Sequence, residues 1–192
     1  MALNPTAAIA DFEERMTDQI RQVRLTVFVC GPAERDAAGA LSAEPGATVR
    51  RYVSERIREN GHHYVWGEHL LCKGGGIETA WIRRFDNADK EVMFALHSNT
   101  DLVVIFPSSS GSLAELGAFC MHDKISPKLL VLFDSRYKGD EGFVITALSK
   151  AAKSRKATIR FVDYGHPKQA WHVVRKIIGE QRMLKTVRLT HG

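Results

Sequence analysis

An apolar run followed by a turn of small polar residues constrains this chain most strongly. Residues 102–106 read Leu-Val-Val-Ile-Phe without a polar interruption, which is typical of a strand buried on both faces of a parallel sheet. Pro107 ends the run, and residues 108–111 read Ser-Ser-Ser-Gly, a turn that offers hydroxyl and backbone N–H groups. Ser112 is predicted to cap a helix that begins at Leu113. A strand, a tight loop and a helix N-terminus in this order bind phosphates and sugars at the carboxyl edge of an α/β sheet.

The rest of the chain alternates short apolar runs with segments of helical periodicity. Strands are predicted over residues 25–30, 63–66, 102–106, 129–133 and 158–162. Besides the helix after Ser112, helices are predicted over residues 6–22, 49–59, 78–97 with a break near 87, 142–153 and 167–184. A chain of this length buries one core, so we expect a single domain. The alternation predicts a three-layer α/β fold, Rossmann-like or flavodoxin-like, with about five mostly parallel strands.

The composition places the chain among ordinary globular proteins. Its 192 residues are 44% hydrophobic and 26% charged, which is the usual balance for such proteins. No apolar run reaches the roughly 18 residues that cross a bilayer, and the first residues lack the pattern of a signal peptide. We therefore expect a cytoplasmic protein without membrane contact.

Metal-binding and disulfide chemistry have little support in the sequence. Cys30, Cys72 and Cys120 are widely spaced, which fits neither a disulfide framework nor a metal clip. The eight histidines do not form a cluster of ligands. Residues 73–76 read Lys-Gly-Gly-Gly, but they lack the spacing of a phosphate-binding P-loop, so a flexible connector is favoured. We expect no metal and no resident cofactor.

The charge of the chain is concentrated toward one end. Residues 150–192 carry eleven Lys or Arg side chains and two acids, whereas residues 1–149 carry more acids than bases. A basic segment on an acidic body favours contact with nucleic acid or with another partner chain. The alternative is a solvated helix face, because no aromatic residues interleave with the basic ones in a binding motif.

Polar and acidic side chains follow several of the predicted strands. Gly31 and Pro32 come directly after the first strand, Glu68 follows the second, and Tyr137 lies in the loop after the fourth. The carboxyl ends of parallel strands meet at one edge of the sheet, where Glu115 is also expected. The dipole of the helix predicts that Glu115, as an acid in the first turn, is ionised.

Each of these acids also has an ordinary structural explanation. The helix dipole favours a glutamate at position 115 with or without a ligand. Glu68 could cap a surface turn. Asp89 and Glu91 precede the central strand and could approach a ligand, but acids on a helix surface are the favoured interpretation.

Four segments together resemble a known family. The central segment reads Ser-Gly-Ser-Leu-Ala-Glu-Leu-Gly-Ala over residues 110–118. The others read Phe-Val-Cys-Gly over 28–31, Trp-Gly-Glu over 66–68 and Lys-Leu-Leu-Val-Leu over 128–132. The central segment resembles the nucleoside 2-deoxyribosyltransferase-like superfamily, in which the glutamate of a Glu-Leu-Gly motif is the nucleophile. The whole set is similar to the N-glycosidase effectors of bacterial retron anti-phage systems.

The resemblance implies a nucleoside deoxyribosyltransferase-like domain that cleaves an N-glycosidic bond. In the retron effectors the implied substrate is NAD or a related nucleotide, and its depletion halts an infected cell. Glu115 is then the nucleophile, because a carboxylate stabilises an oxocarbenium-like transition state, and Glu68 the second catalytic residue. The substrate-binding residues expected around them are Cys30, Gly31, Pro32, Asp89, Pro107, Ser108, Ser109, Ser110, Gly111, Ser112 and Tyr137. We also expect a homo-oligomer and a defence-system partner.

Three other functions stay open. Deoxyribosyltransferases carry an aspartate in the loop before the nucleophile, where this chain has serines, so exchange of bases between nucleosides is less favoured. Phosphoribohydrolases of the cytokinin-activating kind carry a Pro-Gly-Gly-x-Gly-Thr turn, where residues 107–112 read Pro-Ser-Ser-Ser-Gly-Ser. A non-catalytic nucleotide sensor would use the same crevice for binding only.

Overall fold

The computed structural model describes residues 5–36, 38–71, 87–139 and 142–191. Its strands are β1 (Thr26–Cys30), β2 (His63–Trp66), β3 (Leu102–Ile105), β4 (Leu129–Asp134) and β5 (Thr158–Val162). Its helices are α1 (Pro5–Gln22), α2 (Pro45–Glu59), α3 (Gly67–Leu71), α4 (Asn87–Leu96), α5 (Ser110–Cys120), α6 (Phe143–Ser154) and α7 (Pro167–His191). Short 3₁₀ turns lie over Ser126–Lys128 and Ser135–Tyr137.

The five strands form one parallel sheet in the order β2-β1-β3-β4-β5. This is the flavodoxin-like order, and the predicted three-layer α/β fold is confirmed. β3 lies in the middle, and all four of its residues are buried, as the uninterrupted apolar run predicted. The chain leaves β1 and β3 on opposite sides, so a crevice opens between their carboxyl ends.

Two apolar layers cover the faces of the sheet, because successive strand residues point to opposite sides. One layer packs helices α3 to α6 against the sheet, through Phe28, Val103, Phe94, Leu116, Phe119 and Ala152. The other layer packs α2 and α7, through Val27, Val104, Val53, Ile57, Val174 and Ile178. Helix α1 is tied to α7 by the Arg182 guanidinium, which donates to the Ile20 carbonyl oxygen at 2.6 and 2.9 Å.

The boundaries of α2 differ from the prediction. Residues 37–46 read as a flexible loop before a helix at 49, yet α2 begins at Pro45. Proline suits the first helical position because its missing N–H has no partner there in any case. The Glu44 carboxylate caps the helix by accepting from the Ala47 N–H at 2.8 Å. Gly61, with φ +78°, follows the other end of the helix as predicted.

Helix α7 is longer than predicted and runs to His191 instead of ending at residue 184. No glycine or proline stands between residues 184 and 191, so nothing in the sequence breaks the helix there. No helix in the described ranges, the 25-residue α7 included, is both long and apolar enough to cross a bilayer.

Several sequence predictions fall outside the described residues. They are the glycine-rich connector at 73–76, the helical residues Trp81, Ile82 and Phe85, and Cys72. Within the described ranges, Cys30 and Cys120 are buried free thiols. The predicted helix over 78–97 is described from Asn87 onward.

Replacing Lys156 with glycine is expected to raise the free energy of unfolding by about 0.5–1 kcal/mol. Lys156 has φ +70°, a left-handed conformation that side chains rarely adopt, and it is exposed just after α6. Glycine adopts this conformation without the steric cost. Urea denaturation measures the change.

Lys150→Gly is the matched control, because Lys150 is exposed inside α6. There glycine is expected to cost about 1 kcal/mol through the backbone entropy that the helix must restrict. Destabilisation of similar size in both variants would contradict the account of position 156.

Candidate active site

A cleft of about 390 Å³ opens at the carboxyl edge of the sheet, between the ends of β1 and β3. This volume lies within the roughly 300–1,000 Å³ of typical small-molecule sites. The lining residues are Cys30, Gly31, Ala33, Arg50, Gly67, Glu68, Glu91, Ser109, Ser110, Gly111, Ser112 and Glu115. Eight of the sequence candidates are therefore brought together here, including both predicted catalytic acids, Glu115 and Glu68.

The serine loop begins its helix earlier than predicted. Ser109, not Ser112, is the N-cap, and α5 starts at Ser110. Ser109 has the extended conformation that an N-cap needs, with φ −124° and ψ 162°. Its Oγ accepts from the Ser112 N–H at 3.2 Å, while the Ser112 Oγ accepts from the Ser109 N–H at 2.9 Å. This reciprocal capping box fixes the loop without a ligand.

The capping box leaves backbone donors at the start of α5. Ser110 and Gly111 are the first two residues of the helix and are exposed at the cleft. Within the described residues, no acceptor lies against either N–H group. The positive end of the helix dipole also points here. The backbone of this turn can therefore bind an anion, whereas the hydroxyls of Ser109 and Ser112 are engaged with each other.

Glu115 lies in the second turn of α5, because the helix begins at Ser110. Its Oε2 atom is buried and has no hydrogen-bond partner among the described residues. Burial, and after it the charge of the neighbouring Glu91, raise the pKa of Glu115 to about 8. The prediction that the helix dipole keeps this carboxyl ionised is wrong for the free protein, since burial and a second acid outweigh the dipole.

Glu91 is the acid that the sequence interpretation undervalued. It lies on α4, is half-buried and lines the cleft, so it is not an ordinary acid of a helix surface. Burial raises the pKa of Glu91, while its hydrogen bond with Glu115 lowers it. The same hydrogen bond raises the pKa of Glu115, so Glu115 is the acid of the pair whose protonated form is more strongly favoured. The signal was local: Glu91 precedes the buried Phe94 and Ala95 by three and four residues, which places it on the buried face.

A Cβ atom at Gly67 would collide with the Glu91 carboxylate. Gly67 is buried at the start of α3. The absence of a side chain at this position therefore makes room for Glu91 beside Glu115, and the turn after β2 helps to place the pair.

Arg50 is the second functional residue that sequence reasoning missed. Its side chain on α2 is 2% exposed and holds Glu68 through two hydrogen bonds, Nη1 to Oε1 at 2.8 Å and Nη2 to Oε2 at 2.6 Å. Its guanidinium also lies 4.9 Å from the centroid of the Trp66 ring. Such a bidentate pair fixes a carboxylate in position as well as in charge. The available signal was that Arg50 lies three residues before the buried Val53 on the helix.

The same guanidinium fixes the end of β1. Arg50 donates to the carbonyl oxygens of Val29 at 3.2 Å, Gly31 at 3.3 Å and Pro32 at 2.7 Å. Gly31 has φ +152°, and a Cβ there would lie 3.2 Å from the Arg50 Cδ. Glycine is needed because the backbone approaches the arginine so closely. Burial raises the pKa of the Cys30 thiol well above its usual value, so this cysteine is not a thiolate nucleophile.

The other sequence candidates do not line the cleft in the described structure. Pro32 and Pro107 are buried beside it, and Ser108 packs its hydroxyl against Gly46. Asp89 is exposed near the start of α4, and Tyr137 ends the 3₁₀ turn after β4. No group of three His, Cys, Asp or Glu side chains in the described ranges is arranged to hold a metal ion.

The chain is similar to proteins of bacterial retron systems. A model of the STM3845 retron effector protein family matches residues 90–189, a span that contains Glu91, Glu115 and most of helix α7. The Escherichia coli protein described as "Retron Ec86 putative ribosyltransferase/DNA-binding protein" is 36% identical over 44 residues. That match covers 23% of this chain and 14% of the relative, so the chain corresponds to a small part of the relative's length. Because the family model matches more than half of the sequence, the chain belongs to the STM3845 retron effector protein family.

Proposed function

We propose that this chain is an N-glycosidase that hydrolyses the ribosyl–base bond of a nucleotide, with NAD as the favoured substrate, and acts as a toxic anti-phage effector. One observation carries the proposal. The buried Oε2 of Glu115 faces no partner in the described structure, at the floor of a cleft whose rim offers free backbone donors. A carboxyl group in this state suits a transition state that develops positive charge.

Substrate binding would begin at the start of α5. The N–H groups of Ser110 and Gly111 donate hydrogen bonds to a phosphate, because helix N-termini favour anions. Glu68 accepts hydrogen bonds from the ribose hydroxyls, since its side chain is 40% exposed while Arg50 holds it in place. In this arrangement Glu68 positions the sugar and does not supply a proton, because both of its oxygens already accept from Arg50.

Bond cleavage would use Glu115 beneath the anomeric carbon. The C1′–N bond breaks and the base leaves with the bonding electrons, while the ionised Glu115 stabilises the oxocarbenium-like sugar or traps it as an ester. Water then attacks C1′, and its proton passes to the carboxylate pair. The products are the free base and the ribosyl moiety with a hydroxyl at C1′.

The raised pKa of Glu115 favours a substrate whose leaving base is cationic. In the free protein Glu115 is largely protonated at neutral pH, because its pKa lies at about 8. A positively charged nicotinamide ring close to the pair would favour the ionised carboxylate and lower that pKa. Nicotinamide also leaves as a neutral molecule and needs no proton donor. These two points make NAD a better fit than a neutral purine or pyrimidine nucleotide.

Membership in a retron effector family supports the proposed biological role. The description of the Escherichia coli relative as a putative ribosyltransferase and DNA-binding protein supports chemistry at a glycosidic carbon. Transfer of the ribosyl group to an acceptor other than water is the second candidate function. It would use the same Glu115 and differs only in the molecule that attacks C1′.

Glu115→Gln is expected to abolish release of nicotinamide from NAD, with a loss of at least about a thousandfold in kcat/KM, because the amide cannot carry the negative charge. Chromatography of a nucleotide mixture containing NAD after incubation with the protein measures the products. Free ribosyl product indicates hydrolysis, and a new glycoside indicates transfer.

Glu180→Gln, an exposed acid on α7, is the matched control and should keep full activity. The Glu115 variant also has an internal test of folding. Burial raises the folded-state pKa of Glu115 above its ordinary 4.5, so ionisation of this group destabilises the fold progressively as pH rises through about 8. Glu115→Gln should therefore melt no lower than the original protein at pH 9. Equal turnover by this variant, or NAD binding without any product, would overturn the proposal in favour of a sensor.

The pH profile of kcat/KM should report the carboxylate pair. Because Glu115 must be ionised to act, activity should rise about tenfold per pH unit below its pKa and level off above about 8. Glu91→Gln removes the neighbouring charge that raises this pKa, so the rise should move to lower pH. Steady-state kinetics between pH 5 and 9, a range that includes the Glu115 pKa of about 8, measures both profiles.

A rate that falls as pH rises through this range would instead make Glu115 a proton donor to a neutral leaving base. An unchanged profile in Glu91→Gln would show that the two acids do not interact. Either result would contradict the mechanism above.

A further inference from the structure

We propose that a second recess, at the amino edge of the sheet, is a binding site for a phosphate group. The recess has a volume of about 400 Å³. Its lining residues are Ser98, Thr100, Asp101, Lys124, Pro127, Lys128, Gln181, Leu184, Lys185 and Arg188. Asp101 immediately precedes β3, whereas the serine loop follows β3. The recess and the candidate active site therefore lie at opposite ends of the central strand.

Positive charge dominates the recess. Four cationic side chains line it, from Lys124, Lys128, Lys185 and Arg188, against the single acid Asp101. That acid is already engaged, since its Oδ2 accepts from the Lys185 ammonium and from the Thr26 N–H, both at 2.8 Å. Asp101 also acts on the charge of Lys128, and Lys124 and Arg188 face no other acid among the lining residues. An anionic ligand would supply the missing charge.

Lys128 gives the recess a directed donor at its base. Its Nζ donates to the carbonyl oxygens of Thr100 at 2.8 Å and His97 at 3.1 Å. An ammonium group has three N–H donors, so one more can serve a ligand. Burial lowers the pKa of Lys128 to about 8, with Asp101 opposing the shift and Arg188 contributing to it. A bound phosphate would favour the charged form of this amine and accept its third hydrogen bond.

The shape of the site favours a discrete phosphate group. The cations line a concave recess and do not form a flat stripe on the surface. Ser98 and Gln181 add a hydroxyl and an amide group to the lining. Only Lys185 and Arg188 belong to the basic segment 150–192, while Lys124 and Lys128 come from the turn before β4. Most of the basic residues in that segment, including Arg175 and Lys176, lie elsewhere. The folded arrangement, not the net charge of the segment, creates the site.

Calorimetric titration of the full chain with inorganic pyrophosphate tests the site. A variant carrying Lys124→Glu and Arg188→Glu should bind at least about tenfold more weakly, because two charge-assisted contacts become repulsive. Both side chains are exposed, so the fold should survive, and thermal unfolding checks it. The matched control carries Arg175→Glu and Lys176→Glu, which make the same charge change on exposed residues of α7 outside the recess.

A second arm identifies the source of the phosphate. A fluorescent single-stranded oligonucleotide is titrated with the same three proteins, with pyrophosphate as competitor. Oligonucleotide binding that the recess variant loses and pyrophosphate displaces supports a site for nucleic-acid phosphate. Pyrophosphate binding without oligonucleotide binding supports a small phosphorylated ligand. The proposal is overturned if the original protein binds neither probe, or if the control variant loses as much affinity as the recess variant. None of these measurements depends on glycosidase activity.

Discussion

The buried guanidinium of Arg50 is the contact on which the geometry of the cleft depends. It connects the last carbonyl groups of β1 and the turn after it with Glu68 at the start of α3. A buried charge without a partner would be strongly destabilising, so the protein must keep Glu68 beside it. This requirement holds two separate loops at one position on the sheet edge. The candidate active-site cleft is thus fixed by an ion pair whose residues also line it.

Among the described residues, the two acids Glu91 and Glu115 lack the neutralising partner that Glu68 has. Arg50 neutralises Glu68, but Glu91 and Glu115 have mainly each other, and burial raises the pKa of both. A fold gains nothing from two acids placed together in this way, which is why such pairs concentrate at functional sites. A cationic substrate bound beside these two acids would stabilise their ionised form. Replacing Glu115 should therefore increase stability while it removes activity, a familiar trade-off at active sites.

The sequence predicted the sheet and the position of Glu115 because those features are local. An uninterrupted apolar run, a serine turn and an acid on the next helix lie within residues 102–115. The exact helix start was not predictable, since Ser109 and Ser112 are equally good caps and their backbone conformation decides between them. The ionisation of Glu115 was mispredicted for a different reason. It depends on Glu91, which is distant in the chain and approaches only through the packing of α4 on α5.

Arg50 illustrates the same limit of sequence-based prediction, because its role depends on a residue from another element. Helical periodicity places it on the buried face of α2 beside Val53, but a buried arginine is interpretable only when its partner is known. That partner is on another element, and the pairing exists only in the fold. The recess at the other end of β3 is assembled likewise, from the turn before β4 and from α7. In both places, linear charge patterns indicate which residues are available, and the parallel sheet decides which of them meet.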